Sequence, residues 1–161
     1  MNYKARLIVY IPFLIVSVLL APVLPLFAIG QPRLPKWLSW FMTPDNDFPG
    51  DKGWPDTYWY RVRWLFRNPA YGFAWGPLSY TPSASTTYTV TGDVTIKARK
   101  NGRSGWYKIV TNDGAFEWTK IQQLWILPVC YKIRFGWILS DAEIGKKALY
   151  LLSIRLMPFN K

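Results

Sequence analysis

Histidine is absent from this chain of 161 residues, and cysteine occurs once, at Cys130. Without them, zinc sites of the Cys/His kind, iron–sulfur clusters and Ser-His or Cys-His nucleophile pairs cannot be built. A lone cysteine also forbids an internal disulfide, so cysteine usage is silent on redox compartment. Flanked by Val129 and Tyr131, Cys130 reads as a small buried apolar residue. Acids are scarce as well: 9 Asp+Glu stand against 20 Lys+Arg, for a net charge of +11. That imbalance favours anionic partners, of which phospholipid headgroups and nucleic acid are the commonest. No glycine-rich phosphate loop of the P-loop or Rossmann type occurs. General acid–base work would fall to Asp45, Asp47, Asp51, Glu117 or Glu143, so the expectation is a non-enzymatic protein with no cofactor and no catalytic residues.

What the chain has in quantity is apolar surface. Half the residues are hydrophobic and 18% aromatic, ten of them Trp, which fits a folded chain rather than a disordered one. The length allows one domain of ordinary size plus an appendage.

From Leu7 to Ile29 run 23 residues without a charge, LIVYIPFLIVSVLLAPVLPLFAI. About 20 apolar residues cross a bilayer core as a helix, so a transmembrane segment over residues 1–30 is the leading expectation. A cleaved secretory signal and a buried core helix are the alternatives. The run is long for the former, and ordinary core helices are seldom charge-free for so long. Pro12, Pro22 and Pro25 interrupt it; a proline removes a backbone donor, and the last two mark where the helix frays. Lys4 and Arg6 precede the run, Arg33 and Lys36 follow it, and Trp37 and Trp40 lie where an aromatic belt would sit. Together they are the expected membrane-interface residues. The charge balance across the span is close to even and leans only slightly toward a cytoplasmic N-terminus.

Residues 31–79 form a Trp-rich juxtamembrane piece, an acidic loop and a short helix. The loop holds Asp45, Asn46, Asp47, Asp51 and Asp56 among Pro44, Pro49, Gly50 and Pro55. Clustered oxygens can hold calcium, but the spacing matches no EF-hand, and no metal is expected. Tyr58 to Asn68, YWYRVRWLFRN, predicts a helix stopped by Pro69, with Trp59, Val62 and Phe66 on one face and Arg63 and Arg67 four apart beside them. Two readings stand for Asp45, Asn46, Asp47, Asp51, Arg61, Arg63, Arg67 and Asn68. One is a structural clasp in which the acids pair with the arginines; the other is an anion site, because Arg forks match phosphate.

The run TPDNDFPGDKGW, followed by YRVRWLFRNPAYGFAW and later YKIRFGWIL, resembles a family of small uncharacterised proteins encoded by tailed bacteriophages. Those proteins are similar in having an N-terminal hydrophobic segment, a TPDN-x-x-x-GD-x-GW loop, an R-x-x-WL-x-RNP-x-YGF element and a terminal GW-containing strand. Here the elements fall on Thr43 to Trp54, Arg61 to Phe73 and Phe135 to Ile138. The resemblance implies a phage source and a membrane-associated product, and no mechanism.

From Tyr80 on, TTYTVTGDVTIKAR, GWYKIVTN, AFEWTKIQ, VCYKIRFGWIL and ALYLLSIRLM read as strands rich in Val, Ile, Thr and aromatics. Asn101-Gly102 and Asn112-Asp113-Gly114 read as their turns. Partial alternation of apolar and basic residues in Tyr107-Lys108-Ile109-Val110 and Tyr131-Lys132-Ile133-Arg134-Phe135 suggests strands with one wet face. The expected fold class is α+β, mainly β: an N-terminal transmembrane helix, a short helix, then a small antiparallel meander, sandwich or half-open barrel over residues 80–161. Residues 31–161 are expected to make one globular unit. Lys97, Arg99, Lys100, Arg103 and Lys108 crowd the first hairpin, either as a charged edge guarding against strand pairing or as a basic finger for phosphates. Basic strands with aromatics also suit single-stranded nucleic acid.

The expected function is that of a phage-encoded, membrane-anchored protein whose basic, aromatic-rich β domain binds a membrane surface or a protein partner in the host envelope, with the inner membrane favoured. A structural part of the virion and a membrane-tethered nucleic-acid binder are the alternatives. Membrane lipid, an envelope protein of phage or host, nucleic acid and further copies of the chain are the candidate partners.

Overall fold

Proline decides where the apolar segment stops being one helix. In a computed structural model, which describes residues 3–48, 55–98, 104–124 and 129–158, helix α1 covers Tyr3–Leu20 and accommodates Pro12. It ends ahead of Pro22 and Pro25, whose missing N–H groups cannot continue the ladder. The chain turns and forms a 3₁₀ turn, Leu24–Ala28, with proline at its start. The uncharged run is therefore not a single rod. Its last nine residues, 21–29, leave α1 and contribute Ala21, Leu24 and Ala28 to a core with Leu34, Leu38, Met42, Phe48, Trp64 and Leu65.

Two compact units divide the chain, Met1–Leu78 and Ser79–Lys161. The first contains α1, the 3₁₀ turn Leu24–Ala28, a second 3₁₀ turn Lys36–Phe41, α2 over Tyr58–Arg67, and α3 over Tyr71–Trp75. Helix α2 follows an extended Thr57, and it ends at Asn68, whose N–H bonds back to the Trp64 and Leu65 carbonyls ahead of Pro69. Its buried residues are Arg61, Val62, Trp64 and Leu65. The expected apolar face is only partly right: Val62 points inward, while Trp59 and Phe66 are exposed beside Arg63 and Arg67. The helix turned this way because Arg61 finds partners inside and takes Trp64 and Leu65 with it, three and four residues on. At Gly72 α3 meets the Lys36–Phe41 turn so closely that a Cβ would lie 2.2 Å from the Ser39 carbonyl oxygen and 2.6 Å from that of Met42.

The second unit is a five-stranded antiparallel meander in the order β1-β2-β3-β4-β5: Tyr88–Gly92, Gly105–Thr111, Phe116–Gln123, Val129–Trp137 and Tyr150–Pro158. It is not closed into a barrel, since β1 and β5 are edges. The Asn112-Asp113-Gly114 turn joins β2 to β3, with Gly114 at φ +89°. Asn101-Gly102 lies outside the described residues. Strand β1 stops at Gly92, and Val94–Ala98 is a 3₁₀ turn rather than a continuation of the strand.

On β2 the expected polarity holds, with Tyr107 and Ile109 buried and Lys108 exposed, but on β4 it is reversed. Lys132 is buried, and Arg134, beside it on the same face, is half-buried. With them lie Tyr107, Glu117 and Thr119, all buried. The opposite face carries Tyr131, Ile133 and Phe135, whose partners across the strands are Leu156, Ile154 and Leu152. Trp118 stacks on Phe135 there at 4.6 Å. The alternation in β4 is real, but its basic residues face inward, where Arg134 meets the buried carboxylate of Glu117.

Candidate functional site

Two arginine forks organise the first unit. Arg61 donates Nε to Asp56 Oδ1 at 2.6 Å, Nη2 to Asp56 Oδ2 at 2.7 Å, and Nη1 to the Ala28 carbonyl at 2.6 Å. A fork–fork pair of this kind is both directional and strong. The hydrogen bonds from Arg61 hold the Asp56 carboxyl below its usual pKa, against a small burial effect in the other direction. The Arg61 side chain also lies over the Phe48 ring at 5.3 Å. Arg33 forms the second fork: Nη1 to Asp47 Oδ1 at 2.9 Å, and Nη2 to the carbonyls of Thr43 and Pro44 at 2.9 Å each. Sequence reasoning assigned Arg33 to the membrane edge and overlooked Asp56 as the mate of Arg61. Proximity in sequence could have found Asp56, which sits five residues before Arg61 at the entrance of the helix.

The remaining predicted residues scatter. Asp45 is exposed, and Asn46 accepts a bond from Thr43 Oγ1 through its carbonyl at 3.3 Å. Asp51 lies outside the described residues. Arg63 and Arg67 are exposed on α2, the latter 6.0 Å from the Trp64 ring. Asn68 caps the helix and donates Nδ2 to the Trp64 carbonyl at 3.3 Å. Of the basic hairpin, Arg99, Lys100 and Arg103 lie outside the described residues. Lys97 falls in the 3₁₀ turn Val94–Ala98, and Lys108 is exposed on β2 opposite Trp118 of β3. Among the described residues no group of three acidic, Cys or His side chains is placed to hold a metal ion.

Apolar side chains are exposed along α1 and the turns that follow it. Helix α1 is the one described helix long and apolar enough to cross a membrane. It buries one stripe, Tyr10 and Ser17, with Phe13 between them stacked on Phe41 at 4.9 Å and Phe73 at 4.2 Å and set edge-on to Trp40 at 6.1 Å. The opposite stripe, Ile8, Ile11, Ile15 and Leu19, is bare, with Ile8 75% and Leu19 70% exposed. Leu26, Phe27, Ile29, Trp37 and Trp40 extend this exposed surface, and Phe27 meets Trp37 edge to face at 5.6 Å. Lys4 and Lys36 are exposed, and Arg6 donates to the Leu78 carbonyl.

Glu117 is the polar centre of the second unit and is only 2% exposed. Its Oε1 accepts from Tyr107 at 2.6 Å, Arg134 Nη2 at 3.0 Å and Thr119 at 3.3 Å. Its Oε2 accepts the N–H groups of Leu139 and Ser140 at 2.8 Å each. Burial pushes its pKa up, but the Tyr107 hydroxyl, the Ser140 N–H and Arg134 outweigh burial and hold the carboxyl below its ordinary value. With both oxygens so committed, Glu117 ties β2, β4 and the segment after β4 to β3.

Residues 1–161 match the model of a family of unknown function, DUF7338. No curated protein and no solved structure matches the chain.

Proposed function

The chain belongs to this family of unknown function over its whole length, and on its own geometry we propose a non-enzymatic, membrane-anchored protein. In this reading the N-terminal unit holds the chain at a lipid surface, and the β unit is the part that meets a partner. The observation that carries it is the bare stripe Ile8, Ile11, Ile15 and Leu19 on a helix that is apolar all round. A helix without a polar face needs cover on every side, and here protein covers one side only. Exposed Lys4 and Lys36 and the net charge of +11 favour an anionic headgroup layer around it.

For the β unit, the exposed Ile154 and Leu156 on edge strand β5 favour a protein partner. The resemblance to tailed-phage proteins adds the envelope of an infected bacterium as the place. Fractionation of expressing cells tests the reading: the protein should sediment with membranes, resist alkaline carbonate and dissolve in mild detergent. Recovery in the soluble fraction without detergent overturns it.

A further inference from the structure

Three contacts inside the N-terminal unit, read in order, trace the path of the chain beside α1. Tyr58, at the start of α2, donates to the Pro22 carbonyl just past the C-terminal end of α1. Phe73, in α3, stacks on Phe13 at the middle of α1. Leu78, the last residue of the unit, accepts from Arg6 in the first turns of α1. Residues 58–78 therefore run antiparallel to α1, from its end back to its beginning. Resting on the membrane reading above, we infer that the N-terminal unit seats in one leaflet and releases the chain on the side where it entered. It does not act as the single-pass anchor that the 23-residue apolar run suggests.

The dimensions agree. Helix α1 reaches the length of a span, 18 residues or about 27 Å, only by counting the turn that carries Lys4 and Arg6; its charge-free part, Leu7 to Leu20, is about 21 Å at 1.5 Å per residue, whereas a hydrocarbon core is about 30 Å thick. The residues that would complete a crossing, 21–29, leave the α1 helix: Ala21, Leu24 and Ala28 are buried in the core, and the Ala28 carbonyl is bound by Arg61.

Composition excludes the other way of keeping both ends on one side, a hairpin that crosses twice. The returning limb contains α2, whose outer face presents Trp59, Arg63, Phe66 and Arg67, with Trp59 74% exposed. Aromatic rings beside guanidinium groups suit the headgroup level, whereas charged arginines facing acyl chains are strongly disfavoured. A unit lying in the interface, with the bare α1 stripe toward the acyl chains and Lys4 and Lys36 near the phosphates, satisfies all of these groups.

The test uses the full chain with an epitope tag at each end, in right-side-out and inside-out membrane vesicles from expressing cells. A third probe is Gln31→Cys, an exposed position between α1 and α2, read with a membrane-impermeant maleimide. The parent chain, whose single cysteine is the buried Cys130, serves as blank. All three probes should be reached in the same vesicle preparation and shielded in the other. Tags on opposite sides, or tags on one side with Gln31→Cys on the other, overturn one-leaflet seating while leaving membrane anchoring intact. Recovery of the tagged chain in the soluble fraction overturns the anchoring itself, and the seating with it.

Discussion

Arg61 and Asp56 face each other in two parallel hydrogen bonds of 2.6 and 2.7 Å, and the third arm of the same guanidinium closes on the carbonyl of Ala28 at 2.6 Å. One side chain thus ties the end of the apolar segment to the helix that returns beside it. Arg61→Lys keeps the charge but not the fork, and should cost about 1–2 kcal/mol. Arg61→Ala also strands a buried carbonyl and should cost about 3 kcal/mol or more. Asp56→Asn should cost less than either, because the carboxylate is 45% exposed and water replaces it on one side. Urea unfolding in mild detergent checks the order; an Asp56→Asn loss as large as that of Arg61→Ala contradicts it.

Glu117 gives the β unit a pH dependence whose sign follows from its partners. Its folded pKa lies below the unfolded one, so its contribution is complete above the ordinary glutamate value of about 4.3 and is lost as pH falls through the folded value. Thermal melts should show a midpoint that holds from pH 7 to 5 and then drops. Glu117→Gln should start lower by several degrees, since it leaves Arg134 without its charge partner in a partly buried place, and should respond less to acid. Equal acid slopes in the two proteins would place the dependence elsewhere.

Much of the fold was legible because it rests on local rules. Alternation and turn chemistry gave the strands β2 to β5, and Pro69 gave the end of α2. What escaped depends on partners distant in sequence. The inward turn of Arg61 is fixed by Ala28, 33 residues earlier. The inward turn of Arg134 is fixed by Glu117, 17 residues earlier and on another strand. A basic residue alternating with apolar ones looks the same in sequence whether it faces water or a buried carboxylate. The apolar run shows the same limit: its length is visible in the sequence, but its division between α1 and the core depends on where Pro22 and Pro25 lead the chain.

Gly72 sits where two backbones touch, and its replacement separates packing from conformational strain. In Gly72→Ala the new methyl meets the carbonyl oxygens of Ser39 and Met42, neither of which is a flexible side-chain end. The expected cost is about 3 kcal/mol or more, with loss of the α3 contact to the Lys36–Phe41 turn. Gly145→Ala is the comparison: φ is +76° but nothing lies within 4 Å, so only the backbone strain of about 1–2 kcal/mol is expected. Similar losses at both positions would mean that α3 gives way on the turn at small cost.

Trp37 offers the sharpest measure of lipid contact, because it is 70% exposed and Phe27, whose ring it meets, is itself on the exposed apolar surface. Removing it takes little from the core. If the surface lies against a bilayer, Trp37→Ala forfeits the transfer of a large aromatic side chain, on the order of 1.5–2 kcal/mol, which is a partition weaker by roughly ten- to thirtyfold. Flotation with vesicles containing anionic lipid reads this directly. Trp106→Ala, in β2 of the other unit and also exposed, should leave partition within about twofold of the parent. Added salt should weaken binding of parent and Trp37→Ala by the same factor, since the substitution leaves Lys4 and Lys36 untouched. A folded Trp37→Ala protein that partitions as well as the parent would remove Trp37 and its neighbours from the lipid contact and leave the α1 stripe to carry it alone.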